Sequence, residues 1–123
     1  MKQEDKDLLL KDLCGRIPYG VKCEVYNRIG ILDEISSYGA AVNYSNGEDT
    51  TCRIECVKPY LFPLSSMTEE QMEEYDNLRQ DINDKLKDWK CAKLLDWLNK
   101  NHFDYRGLIE IGLAIDATGL NIY

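Results

Sequence analysis

The chain has a single histidine, two phenylalanines and three prolines among its 123 residues, and it has no long hydrophobic run. Each shortage excludes something. With His102 as the sole imidazole, a zinc site would have to recruit it, or the thiols of Cys23 and Cys91, from distant parts of the fold. No apolar stretch approaches the ~18 residues of a membrane span, and Leu8 to Leu10 is a local patch, so no membrane association is expected. The N-terminus, MKQEDKD, lacks the positive start and apolar core of a signal peptide, so a cytoplasmic protein is expected. Phosphate-loop and dinucleotide fingerprints are missing, since Gly15, Gly20, Gly30, Gly39 and Gly47 are scattered singly among turns and strands. Clustered Lys and Arg are also missing. Against 22 acidic side chains there are 15 basic ones, a net charge of −7. Phosphate contacts need such clusters, so direct binding to nucleic acid is not expected.

What remains is an ordinary globular composition, 44% hydrophobic and 30% charged, in a chain of single-domain length. Such a chain buries roughly two-thirds of its unfolded surface and needs no staples. Five cysteines, an odd number without an export signal, favour reduced thiols over a disulfide framework. Cys52 and Cys56 lie in TTCRIECV, which alternates like a strand. That spacing would separate them by about 13 Å, too far to share an ion. Small apolar core residues are the expected role, and no cofactor is expected.

The most informative stretch is MTEEQMEEYDNLRQDINDKLKDW, residues 67–89. Thr68 reads as an N-cap with Gln71 completing a capping box, and Met67 and Met72 occupy the positions of a hydrophobic staple. Met72, Tyr75, Leu78, Ile82, Leu86 and Trp89 recur at steps of three and four, one apolar stripe along a helix. Residues 68–88 carry a net −5 of the total −7. Glu69, Glu70, Glu73 and Glu74 fill the first two turns, where carboxylates favour the helix dipole. They read as a solvated face or as a surface offered to a basic protein partner, one form of which mimics the nucleic-acid backbone.

Along the chain, residues 1–15 hold a first helix, with Leu9, Leu10, Leu13 and Cys14 inward and Gly15 as the left-handed residue that ends it. Residues 21–57 read as a β meander of four short runs, VKCEVY, IGILDEI, SYGAAVNY and TTCRIECV. Val21, Cys23 and Val25 share one face, Gly39 marks a bulge or close backbone approach, and Asn46-Gly47 marks a turn. The meander is left either open or curled into a small barrel. Residues 58–67 hold Pro59 and Pro63 and read as an extended crossover rather than a central strand. Residues 68–123 form the helical part: the acidic helix, a second over 90–100 with Asn101 after its end, and a short third, DYRGLIEI, capped by Asp104 and ended by Gly112. LAIDAT adds an extended edge segment. The fold class is α+β, one helix, a small antiparallel sheet, then two or three helices.

Two further sets of residues bear on function. Five of the eight tyrosines, Tyr19, Tyr26, Tyr38, Tyr44 and Tyr60, lie in or beside the β region, and a sheet face lined by Tyr26, Tyr38 and Tyr44 would suit a partner. His102 and Asp104 stand two apart in NHFDYR, which with a thiol would make a Cys-His-Asp nucleophilic system. That reading needs a thiol within about 3 Å of the imidazole. The competing reading has His102 as a cap or surface residue, with Asp104, Tyr105 and Arg106 organising a turn and Arg106 paired to a carboxylate.

Four stretches, KDLCGRIPYGVKC, KPYLFPLSSMTEEQ, LLDWLNKNHFDYRGLIE and GLAIDAT, resemble in content and order a group of short, uncharacterised proteins common in gut Bacteroides and relatives, often within phage-like or integrated elements. The resemblance covers both ends and the crossover and leaves residues 24–55 as the variable part. It implies a bacterial cytoplasmic protein carried by a mobile element, and it carries over no functional residue. Ile111 stands where the group's pattern suggests a charge, which adds apolar surface near the C-terminus. Taken together, the expectation is a non-enzymatic accessory or interaction protein. A cysteine- or metal-dependent enzyme centred on His102 is the alternative, and an acidic mimic of nucleic acid a further one.

Overall fold

The computed structural model describes residues 1–80 and 87–123, with side chains from 91 onward in the second part. Helix α1 (Gln3–Arg16) opens the chain, with Glu4 and Asp5 in its first turn and Arg16 in its last, as the helix dipole favours. Its inner face is Leu9, Asp12, Leu13 and Arg16, all fully buried, at the three-and-four spacing of one helical stripe. Leu10 is only half-buried and Cys14 is exposed, contrary to expectation. Gly15 does not end the helix. The chain continues through a 3-10 turn, Ile17–Tyr19, and the left-handed residue is Gly20 at φ 66°. Gly15 serves packing instead, because a Cβ there would lie 3.3 Å from Asn99 Nδ2.

The meander follows as β1 (Lys22–Val25), β2 (Arg28–Ser36), β3 (Gly39–Tyr44) and β4 (Asp49–Cys52), each antiparallel to the last. Val21, Cys23 and Val25 face inward and are fully buried. Tyr26 and Asn27, at φ 52° and 64°, form a two-residue turn with the double positive φ that matches strand twist. The Tyr44–Glu48 turn is built differently. Gly47 N–H donates to Tyr44 O at 3.1 Å, Tyr44 N–H donates to Glu48 O at 2.8 Å, and only Gly47, at φ 88°, is left-handed. That is a type I turn closed by a glycine bulge. The irregular rung of the sheet lies between Leu32 and Glu34. Gly39 has the other role foreseen for it, since a Cβ there would stand 2.0 Å from the Cys52 carbonyl oxygen.

Two corrections concern residues 53–67. TTCRIECV is not one strand: β4 stops at Cys52 and residues Ile54–Cys56 form a 3-10 turn. Cys52 is buried and Cys56 exposed, so alternation along a strand no longer separates the two thiols. KPYLFP is no crossover but strand β5 (Lys58–Pro63). Its six residues serve three partners in succession. Lys58 and Pro59 pair with β1, Tyr60 and Leu61 with β7 (Ile115–Asp116), and Phe62 and Pro63 with β6 (Phe103–Asp104). Proline has no N–H to donate, and the two prolines sit in the first and last of these short ladders.

The strand order is β4-β3-β2-β1-β5-β6, with β7 on β5, and this order forces curvature. Cys52, at the end of β4, is linked across β3 to Ile35, while Lys58, at the start of β5, is linked across β1 to Ile29. In a flat sheet these ends would be about 27 Å apart, from four strand spacings and six residues of rise. Six chain steps reach at most about 22 Å. The sheet therefore curls around its inner face, though among the described residues β4 pairs only with β3 and the ladder stays open. Leu32, Val42, Ile54, Val57, Leu61 and Leu108 fill the hollow together with Leu9 and Leu13 of α1.

The Thr68 capping box forms as expected. Gln71 N–H donates to Thr68 Oγ1 at 3.2 Å, and Thr68 N–H to Gln71 Oε1 at 3.0 Å. Helix α2 (Glu69–Gln80) follows, then α3 (Lys87–Lys100). Ile82, Leu86 and the Trp89 side chain, part of the expected stripe, lie outside the described residues. At the end of α3 the left-handed residue is His102, φ 61°, rather than Asn101. DYRGLIEI is not a third helix. Gly107 and Gly112, at φ 73° and 79°, break it into turns. Among the described residues the helical part thus has two helices.

Gly39→Ala should cost about 3 kcal/mol or more, since a positive φ and a clash with backbone coincide. Urea unfolding of the pair of proteins measures it, and a loss under ~1 kcal/mol would contradict the close approach.

Candidate functional site

The tyrosine face does not exist. Tyr26 (61% exposed) and Tyr38 (89% exposed) sit in the turns at opposite ends of β2, while Tyr44 points inward and is buried. Tyr44 Oη donates to Val25 O at 3.3 Å, and Arg28 lies 3.8 Å over its ring. Tyr60 is also buried, its hydroxyl donating to Glu24 at 3.2 Å. The pleat explains this: Ala40, Val42 and Tyr44 share the core side of β3, and a one-residue shift would turn the whole row over.

Residues 102–106 do form a built site, and its other half comes from α1. Arg16 Nε donates to Asp12 Oδ2 at 2.7 Å and Nη2 to Asp12 Oδ1 at 3.1 Å, both side chains fully buried. The same Nη2 donates to Phe103 O at 2.7 Å. Arg106 Nε stands 3.3 Å from Asp12 Oδ1, so one carboxylate serves two guanidinium groups. Both lie about 5 Å from the ring of Tyr105 (5.0 and 5.1 Å), whose hydroxyl donates to Asn99 Oδ1 at 2.8 Å. Asp104 accepts the amides of Leu108 at 2.9 Å and Ile109 at 3.0 Å. It thereby caps the irregular turns that replace the expected helix.

His102 lies beside this cluster. Its ring stacks on Tyr123 at 3.7 Å between centroids and 12° between planes. Tyr123 is itself fixed, because its hydroxyl accepts Lys22 N–H at 2.8 Å and donates to Tyr60 O at 2.8 Å. His102 Nδ1 and Arg16 Nη1 are buried without a hydrogen-bond partner among the described residues. Burial, then the charges of Arg16 and Lys22, push the imidazole down from 6.5 to about 4. A group so placed is a neutral packing ring near pH 7. The two buried thiols, Cys23 and Cys52, are no better suited to nucleophilic work. Burial, then Cys52, pushes Cys23 up, and burial, then Cys56, pushes Cys52 up, which disfavours the thiolate. Among the described residues, no three His, Cys, Asp or Glu side chains are arranged to hold a metal ion.

The acidic residues occupy a different surface. Helix α2 has no buried residue. Glu74 Oε2 accepts Trp97 Nε1–H at 2.8 Å, and Tyr75 stacks on Trp97 with centroids 6.1 Å apart. Trp97 in turn stacks on Phe103 at 5.6 Å, and Phe103 meets Phe62 edge-on at 6.5 Å. A continuous line of rings thus joins α2 to the sheet. Arg79 lies 3.9 Å from Asp76. Glu69, Glu70 and Glu73 are exposed, with no cation at ion-pair distance among the described residues.

No protein-family profile matches the chain, and no curated protein or solved structure is significantly similar to it. No helix among the described residues is long and apolar enough to cross a membrane.

Sequence reasoning missed Asp12, Arg16, Asn99 and Tyr123. The one available signal was the spacing of Asp12 and Arg16, which puts both on the Leu9 and Leu13 stripe.

Arg16→Met leaves Asp12 buried with Arg106 as its one charge partner and should cost about 3–5 kcal/mol, much of it recovered in the Asp12→Leu, Arg16→Met double variant. Denaturant titration reads both, and equal stability of the single variant and wild type would refute the role given to Arg16. His102 contributes a pH dependence. The unfolded chain takes a proton as pH falls through 6.5, whereas the folded chain does not until about 4. Stability should therefore drop between those values, and the drop should be smaller in His102→Asn, which tolerates positive φ. Melting temperatures at pH 7 and pH 4.5 decide it, and an identical drop in both proteins would contradict the assignment.

Proposed function

We propose that this chain is a non-enzymatic interaction protein that presents helix α2 to a basic protein partner. One observation carries the reading: α2 is capped at its N-terminus yet none of its 12 residues is fully buried, so it rests on the fold by its Tyr75 side and leaves its acidic side to solvent. Helices in proteins owe most of their stability to a buried face. Here the exposed face carries Glu69, Glu70, Glu73 and Glu74, on a chain with a net charge of −7. Such a field steers a cationic partner and raises its rate of encounter.

The geometry does not favour an enzyme centred on His102, because the imidazole faces Tyr123 rather than a thiol. A nucleic-acid mimic would use the same carboxylates, and its basic target would be one that DNA also binds. The resemblance of the four sequence stretches supports a bacterial origin within a mobile element.

Reversing Glu69, Glu70, Glu73 and Glu74 to Lys should abolish partner recovery in a pull-down from native lysate, and high salt should release the partner from wild type. Unchanged recovery by the reversed protein would sink the proposal. Release of the partner by added DNA would select the mimic form of it.

A further inference from the structure

We infer that the partner segment recognised by α2 is a basic amphipathic helix that seats one apolar side chain in the cleft between α2 and α3. This rests on the reading just given and specifies its ligand. The cleft has a volume of about 340 Å³ and is lined by Glu74, Asn77, Leu78, Lys93 and Trp97. Leu78 and Trp97 are half-buried, so the cleft offers an aliphatic and an aromatic surface that the described residues do not cover. That is room for an aliphatic or aromatic side chain, with burial of the lining as the driving force.

The charge around the cleft sets the rest of the partner. On α2, Glu70 precedes Glu74 by four residues and Glu69 precedes Glu73 by four, two carboxylate rows with the repeat of one helical turn. Glu74 is held in place by the Trp97 indole N–H, so one carboxylate stands fixed at the cleft's rim. Lys93 is on the opposite, α3 wall. A cationic ligand therefore turns its charged side to α2 and its apolar side into the cleft. An α-helix with Lys or Arg at steps of four beside a Leu or Phe stripe supplies both in one register. The backbone hydrogen bonds of α2 and α3 are already used within the helices, so recognition falls to side chains. That is the helix-in-groove mode rather than strand addition.

Calorimetry on the unmodified full chain tests this with two synthetic Leu/Lys peptides of equal composition, each ~15 residues. One segregates Leu and Lys on a helix, and the other alternates them as on a strand. The helical pattern should bind at least ~10-fold tighter, and Leu78→Asn should weaken it by about tenfold while leaving the alternating peptide unchanged. Leu78 is half-buried on a helix with no fully buried residue, and the peptide comparison on wild type needs no variant. Equal binding of both peptides overturns the inference and leaves the electrostatic reading standing. Binding of neither at low salt overturns both.

Discussion

The buried Asp12–Arg16 pair is the constraint on which the rest of the arrangement depends. Two charges taken out of water cost several kcal/mol each, and their mutual attraction offsets this only if the remaining polar atoms are also satisfied. Arg16 meets most of that demand by bonding Asp12 and the Phe103 carbonyl, with Nη1 left unpartnered among the described residues, and Asp12 has a second cation, Arg106, at 3.3 Å. The first helix thus dictates where residues 103–106 lie. With Phe103 held there, β6 can pair with the end of β5. His102 then falls against Tyr123, and Tyr105 between the two guanidinium groups. A more apolar core would pack as tightly, but it would not tie the two ends of the chain to one geometry.

The line of rings from Tyr75 through Trp97 and Phe103 to Phe62 and Tyr123 gives α2 a firm mounting despite its lack of buried residues. Each ring pair contributes of order 1 kcal/mol beyond its area. The helix is thereby held at its Trp97-facing side while its acidic side stays in water. A surface mounted in that way loses little freedom when a ligand docks, which favours binding.

Much of the local structure was legible because local rules decided it. The capping box at Thr68, the alternation of Val21, Cys23 and Val25, and the turn at Gly47 each depend on neighbours in sequence. The failures share a cause in tertiary context. Pro59 argued against a strand, but the ladder of β5 changes partner every two residues, so a missing N–H costs little there. Cys52 to Cys56 alternates like a strand, yet the short route from β4 to β5 requires a turn. No local rule calls for burying Asp12 and Arg16, and the contact of Arg16 with Phe103, 87 residues away in sequence, makes their burial tolerable. Tyr26, Tyr38 and Tyr44 were grouped by composition, which says nothing about which side of the pleat each takes.

Phe62 pairs with Phe103 and Pro63 with Asp104, so the chain leaves the sheet and returns to it at adjacent positions. The described residues between, α2 and α3 among them, form an excursion that starts and ends at that doorway. The return limb is nevertheless built into the core: Leu98 and Asn99 are buried, Asn99 bonds Tyr105 and crowds Gly15, and Trp97 stacks on Phe103. The excursion is thus a buttress to the sheet and not a detachable part.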